Sequence, residues 1–366
     1  MKKQWPLDTA ISFDPYFGEP ARDGDQGFEV LDDGRVKFRI KAPNAKAVSI
    51  DMFYGFRAPL ERVSDEMWEG IVDLGRGFKY IFVIVDGADM LCPYLPIGYG
   101  ACRPMNYVDI PVPGEDGWDA IEGIPHGSVT RHFFFSSVTG KQEVCLVYAP
   151  PAYDPSKKYP VLYLQHGYGE NEIGWVYQGH LARIADRLIA EGQMKEMLIV
   201  MGNGMAQRAE GFEGDMKVHA AELFPRVLLE DLIPFIEAHY PVLTDKWHRA
   251  MAGLSMGSFQ TSLVTLTHPE MFGWVGLFSG FLRSPWPNVS QAHLALLDDG
   301  EKFRESFKVF FRAMGTEDRF FQSFLDDDEM LKGKPVEMLR KTYPGTHDWT
   351  VWRRCIHDFL PMIFRN

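Results

Sequence analysis

The hydrophobic rhythm of the chain changes once, and that change divides what the chain can fold into. Residues 29–112 read as β-structure, with runs in which apolar residues recur at every second position. Val36-Lys37-Phe38-Arg39-Ile40 and Ala47-Val48-Ser49-Ile50-Asp51-Met52 alternate, and residues 78–85 form a longer strand-like run closed by the hairpin turn signal Asp86-Gly87. Short strands separated by Gly, Pro and Asp at roughly ten-residue spacing predict a small all-β sandwich. Residues 111–127 then crowd Pro and Gly together (Pro111, Pro113, Gly114, Gly117, Gly123, Pro125, Gly127), the composition of a domain junction. Beyond it, strand-like runs at 144–148, 161–164, 197–201, 250–252, 274–278 and 308–313 alternate with helical periods. The clearest helix sets Leu181, Ile184, Ala185, Leu188 and Ile189 on one face. Alternating β and α predicts an α/β domain, a mainly parallel sheet with helices on both faces. The expected division is 1–115 for the sandwich, 116–127 for a linker and 128–366 for the α/β domain, two cores for a chain of 366 residues.

Charge narrows the partners. A formal net charge of −12 repels phosphate backbones and anionic lipid heads, so neither nucleic acid nor a membrane is expected. No apolar run is long enough to cross a bilayer. The first residues, Met1-Lys2-Lys3-Gln4-Trp5-Pro6, lead to Asp8 and Asp14 without an apolar stretch. The expectation is a cytoplasmic protein, or a secreted one if a leader has been removed. Cys92, Cys102, Cys145 and Cys355 make no CxxC pair and no Cys/His cluster, so no metal is expected; Cys92 and Cys102 could reach each other across a loop. The oligomeric state leaves no trace in the sequence.

The chemistry concentrates at Gly253-Leu254-Ser255-Met256-Gly257. This pentapeptide follows a strand-like run ending at Ala252 and precedes a helix-compatible stretch, 259–265. Small residues on either side of a serine in a strand–turn–helix setting let the backbone turn sharply and lift the hydroxyl off the sheet. Serine is a poor nucleophile unless a histidine accepts its proton. With the order serine, acid, histidine that an α/β-hydrolase uses, His268, His293, His347 and His357 compete, and His347 lies on the loop best placed for the base. It follows a strand-like region at 336–339 and precedes a final helix. The acid should follow the strand at 308–314, where Asp318 is the choice and Glu317 the second. Asp326, Asp327, Asp328 and Glu329 read as a solvated turn. The oxyanion donors expected are the N–H groups of Met256 and of Tyr168, the latter within Gln165-His166-Gly167-Tyr168-Gly169. His166 suits ordering of that loop. Trp175, Trp286 and Trp349 lie on loops near the expected active face and could clamp a planar acyl group.

Residues 128–366 resemble carbohydrate esterase family one, the putative esterases that include feruloyl and acetylxylan esterases. The matching stretches are His166-Gly167-Tyr168-Gly169-Glu170-Asn171-Glu172 with Trp175, Met201-Gly202-Asn203-Gly204, Asp231-Leu232-Ile233-Pro234-Phe235-Ile236-Glu237, Ala252 to Gly257, and Gly345-Thr346-His347-Asp348-Trp349. Residues 29–112 resemble the immunoglobulin-fold module of carbohydrate-binding family 48 through Phe38, Ala42-Pro43-Asn44-Ala45, Trp68-Glu69-Gly70 and Gly77-Phe78-Lys79-Tyr80. Here Trp68 sits inside the alternating pattern, as core. The resemblance implies an α/β-hydrolase fold and a serine carboxylic-ester hydrolase acting on small-molecule or oligosaccharide esters, without metal or organic cofactor. A feruloyl (hydroxycinnamoyl) esterase is the first expectation. Acetylxylan and siderophore-type esters are the alternatives, and a non-catalytic carbohydrate-binding scaffold is the reading from a different class.

Overall fold

A computed structural model describes residues 26–115, 117–120, 122–210 and 217–365. The chain divides after Gly117 into two compact units.

The first unit is all-β and wholly antiparallel in its pairing. One sheet orders its strands β1 (Gly27–Val30), β2 (Val36–Lys41), β6 (Met67–Val72), β5 (Glu61–Arg62). The other orders them β4 (Arg57–Pro59), β3 (Val48–Asp51), β7 (Gly77–Val85), β10 (Arg103–Ile110), β9 (Ile97–Gly100), with β8 (Ala88–Met90) also paired to β7. The alternation seen in the sequence is the alternation of burial: Val36, Phe38 and Ile40 of β2 join Trp68 and Val72 of β6 in one core with Ile50, Ile81, Val83, Val108 and Ile110 of the second sheet. Trp68 donates its indole N–H to the Ala42 carbonyl at 3.0 Å, which satisfies the polar end of a buried ring.

The second unit is built on eight strands: β11 (Ser128–Ser136), β12 (Lys141–Ala149), β13 (Val161–Gln165), β14 (Leu198–Gly202), β15 (Arg249–Leu254), β16 (Trp274–Phe278), β17 (Val309–Gly315) and β18 (Leu339–Tyr343). Their order is β11-β12-β14-β13-β15-β16-β17-β18, antiparallel for the first two pairings and parallel for the rest. Strands β13, β14, β15 and β16 are buried along their whole length, as sheets covered on both faces require. Because β13, β15, β16, β17 and β18 run side by side in one direction, the loops after them share one edge of the sheet. That edge is where open α/β sheets bind ligands.

Three expectations need correction. The strand before His347 is 339–343, not 336–339. It is an edge strand whose Leu339, Arg340 and Lys341 face solvent, so it lacks the apolar run that marks the inner strands. The expected linker 116–127 is divided, since Trp118 already belongs to the second unit. Its indole stacks on His357 at 4.1 Å, Asp119 pairs with His180, and the Gly127 N–H donates to Asp186. The acidic run 326–329 is no turn: it lies in the helix Phe321–Leu331, where Asp327 is buried against Arg283 and Arg312. All four cysteines are free thiols.

Candidate active site

Ser255 sits at the junction of β15 and the helix Met256–Thr267 with φ 51° and ψ −115°, a backbone conformation few L-residues adopt. Its neighbours make the turn possible. A Cβ on Gly253 would fall 2.4 Å from the Gly257 carbonyl oxygen, and one on Gly257 2.5 Å from that of His166. Only glycine fits either place. The Ser255 N–H is tied to the Phe278 carbonyl of the neighbouring strand at 2.9 Å, so the strained residue is held from beside as well as from below.

The structure brings Ser255, His347 and Asp318 into one hydrogen-bonded chain. Ser255 Oγ lies 2.9 Å from His347 Nε2, and His347 Nδ1 lies 2.7 Å from Asp318 Oδ2. With Asp318 accepting from Nδ1–H, Nε2 is left as the acceptor of the serine proton. The Asp318 carboxylate is buried, and its other oxygen accepts the Phe320 N–H at 2.9 Å, so the side chain cannot swing away. Glu317 is otherwise engaged: it faces solvent, accepts the Gly345 N–H and takes the Thr316 hydroxyl at 2.8 Å. It shapes the histidine loop from outside. Asp348, next to His347, caps the helix Trp349–Phe359 by accepting the N–H groups of Thr350 and Val351.

A second loop approaches Ser255 from β13. A Cβ on Gly167 would lie 3.4 Å from that of Ser255, so the chain passes as close as it can. Its neighbour Tyr168 is exposed, and among the described residues neither the Tyr168 N–H nor the Met256 N–H has a protein acceptor. Two unengaged donors beside a candidate nucleophile suit a developing oxyanion. His166 holds the loop. It is buried, donates from Nδ1 to the Gly167 carbonyl at 2.8 Å and accepts the Gly204 N–H on Nε2 at 2.9 Å. Burial pushes its pKa down to about 4, so at neutral pH it is an uncharged strut. Glu170 completes the turn by accepting the Gly167 N–H at 3.2 Å.

The tryptophans divide. Trp175 and Trp349 are buried, edge to face at 5.2 Å, and Trp175 donates its N–H to the Gln165 carbonyl. They lie inside the unit and present no ring to a ligand, which corrects the expectation of a clamp. Nor are they on loops: Trp175 lies in the short helix Gly174–Tyr177 and Trp349 opens the helix Trp349–Phe359. Trp286 is half-buried, edge to face with Phe259 of the elbow helix at 5.4 Å.

Two aromatic rings against the base escaped the sequence reading. Phe320 packs on His347 at 5.0 Å and Trp352 at 5.2 Å, both nearly perpendicular to it. Phe320 follows Asp318 by two positions, and nothing but that proximity could have marked it. Asp327 was missed for the opposite reason, since charge suggested solvent. It accepts the Leu282 N–H at 3.0 Å and so fixes the loop after β16.

Residues 136–363 match the family described as putative esterase. The chain is 33% identical over 347 residues to an endo-1,4-beta-xylanase/feruloyl esterase of Xylanibacter ruminicola, a match covering 92% of this chain and 46% of that protein. It is 27% identical over 248 residues to endo-1,4-beta-xylanase Y of Acetivibrio thermocellus, covering 22% of it. The chain thus spans less than half the length of these relatives. Among solved structures, a ferulic acid esterase of Anaeromyces mucronatus in complex with ferulic acid superposes with a TM-score of 0.60 at 25% identity, over 68% of this chain and 95% of that one. An enterobactin esterase of Shigella flexneri reaches 0.67 over 94% and 98% at 16% identity, a likeness of fold.

Proposed function

We propose that this chain, which belongs to the putative esterase family and is a carboxylic ester hydrolase, works through Ser255, His347 and Asp318 on hydroxycinnamoyl (feruloyl-type) esters of saccharides. One observation carries the reading: a serine held at positive φ with its hydroxyl on a histidine that a buried carboxylate orients. Ser255 Oγ attacks the ester carbonyl carbon while its proton passes to His347 Nε2. The negative oxygen that forms is met by the Tyr168 and Met256 N–H groups. When the tetrahedral adduct collapses, the carbon–oxygen bond to the alcohol breaks and His347 returns the proton to the departing oxygen. Water then repeats the sequence on the acyl-enzyme and releases the acid. Asp318 keeps the imidazole in the correct tautomer and stabilises its charged form without taking the proton.

The acyl preference is supported by the feruloyl relatives in sequence and structure. A second reading, an aryl ester of siderophore type, is supported by the enterobactin esterase likeness, which extends over both units. For the first unit, the two antiparallel sheets around one core are compatible with a family-48-like immunoglobulin module. Hydrolysis of methyl ferulate, of an acetylated xyloside and of a dihydroxybenzoyl serine ester, measured side by side, tests the reading. Methyl ferulate should be turned over with the highest kcat/KM. A preference for either of the others replaces the acyl assignment.

A further inference from the structure

We infer that Arg319 and Phe320 form the subsite for the departing alcohol and select a hydroxyl-rich one, of saccharide type; this rests on the serine-esterase reading above. The argument begins at His347. Its Nε2 must hand a proton to the leaving oxygen, so that oxygen lies within hydrogen-bond reach of the imidazole, about 3 Å away. The alcohol therefore starts beside the base and passes whatever flanks it. Of the two rings packed on His347, Trp352 is buried and closes its side, whereas Phe320 is half-buried. The alcohol's way out is over Phe320.

There it meets Arg319, which is exposed and whose guanidinium carbon lies 4.6 Å from the Phe320 ring centre. Phe320 is itself backed by buried Phe281 at 5.1 Å, edge to face. The ring is thus fixed between the base and a cation laid upon it. A guanidinium resting on an aromatic face is held in one plane, carries five N–H donors and is weakly hydrated. Its complement is an alcohol carrying several oxygens. A methyl leaving group offers nothing to these donors.

Two esters with one acyl group test this: methyl ferulate and a feruloylated arabinose. For a two-step acyl transfer kcat/KM reports only the steps through acylation, the half-reaction that still holds the alcohol. The ratio of kcat/KM for the sugar ester to that for the methyl ester is compared in wild type, Arg319→Ala, Arg319→Lys and Phe320→Leu. A hydrogen bond to a charged group predicts that this ratio falls about tenfold in Arg319→Ala. It should recover in part in Arg319→Lys and fall by a smaller factor in Phe320→Leu. An unchanged ratio, or equal loss on both esters, overturns the subsite, the latter because it marks a support of His347 and no more. If wild type hydrolyses neither feruloyl ester, the feruloyl reading fails; the same ratio measured with methyl acetate and an acetylated arabinose then decides the alcohol subsite by itself.

Discussion

Two loops serve Ser255, one beside it after β13 and one after β17 that reaches it through His347; β15 and β16 separate their strands in the sheet, and the loops are built in opposite ways. The loop after β13 is pinned by buried groups: His166 grips Gly167 and Gly204, and Glu170 grips the Gly167 N–H. The loop after β17 buries its acid, Asp318, but turns Glu317 and Arg319 to solvent. The difference suits the reaction proposed. In that reaction, donors aimed at a developing oxyanion must not reorganise when charge appears, and the groups that pin their loop are buried. The side where an alcohol departs must open to water, and only the group that orients the base needs burial there.

The comparison can be broken most severely at the chain of proton transfer. Ser255→Ala and His347→Ala should each lower kcat by roughly 10³-fold or more, and the double variant should be scarcely worse, because the residues act as one unit. Additive losses in single-turnover assays would separate the two residues. Next in size, Asp318→Asn should lower kcat by roughly 10²- to 10⁴-fold with KM nearly constant, since it disturbs the tautomer of the base. Glu317→Gln keeps an oxygen for Gly345 and should cost less than about tenfold by the same measure. The reverse order would make Glu317 the acid.

The pinned loop is sharpened by His166→Ala. It leaves the Gly204 N–H and the Gly167 carbonyl without partners, a cost of about 1–3 kcal/mol for each buried group, seen as a lower unfolding midpoint. kcat should fall by about ten- to a hundredfold, less than for outright removal of an oxyanion donor. A variant as stable as wild type but equally active would show that the loop does not depend on this strut. The last test of this strut concerns pH. The native pKa of His166 is about 4, below its unfolded value, so the unfolded chain binds more protons between them. Its contribution to stability is fully present above about pH 6.5 and is lost as pH falls to about 4. Denaturant midpoints measured across that window should slope less in His166→Asn than in wild type.

What the sequence disclosed depended on whether a requirement was local. The elbow was legible because Gly253 and Gly257 answer steric demands of their immediate neighbours. His347 and Asp318 could be named because chain order and strand ends place them, though one is 92 positions and the other 63 from Ser255 by number alone. The inner strands announced themselves by continuous burial, while β18, exposed at the edge, did not. Side-chain direction was beyond reach. Trp175, Trp286 and Trp349 looked alike as loop tryptophans, yet packing turned two inward. Asp327 looked solvated because its partners, Arg283 and Arg312, come from distant loops and strands. Trp118 was read into a linker because one aromatic residue among Pro and Gly carries no period.

The central claim is that Ser255 carries the acyl group. Intact-protein and peptide mass spectrometry after rapid acid quenching, during turnover of a slowly deacylating ester, tests it most directly. The account predicts a transient mass increase equal to the acyl group, located on Ser255, absent from Ser255→Ala and greatly slowed in His347→Ala. An acyl group found on another residue, or steady turnover by Ser255→Ala, would contradict it.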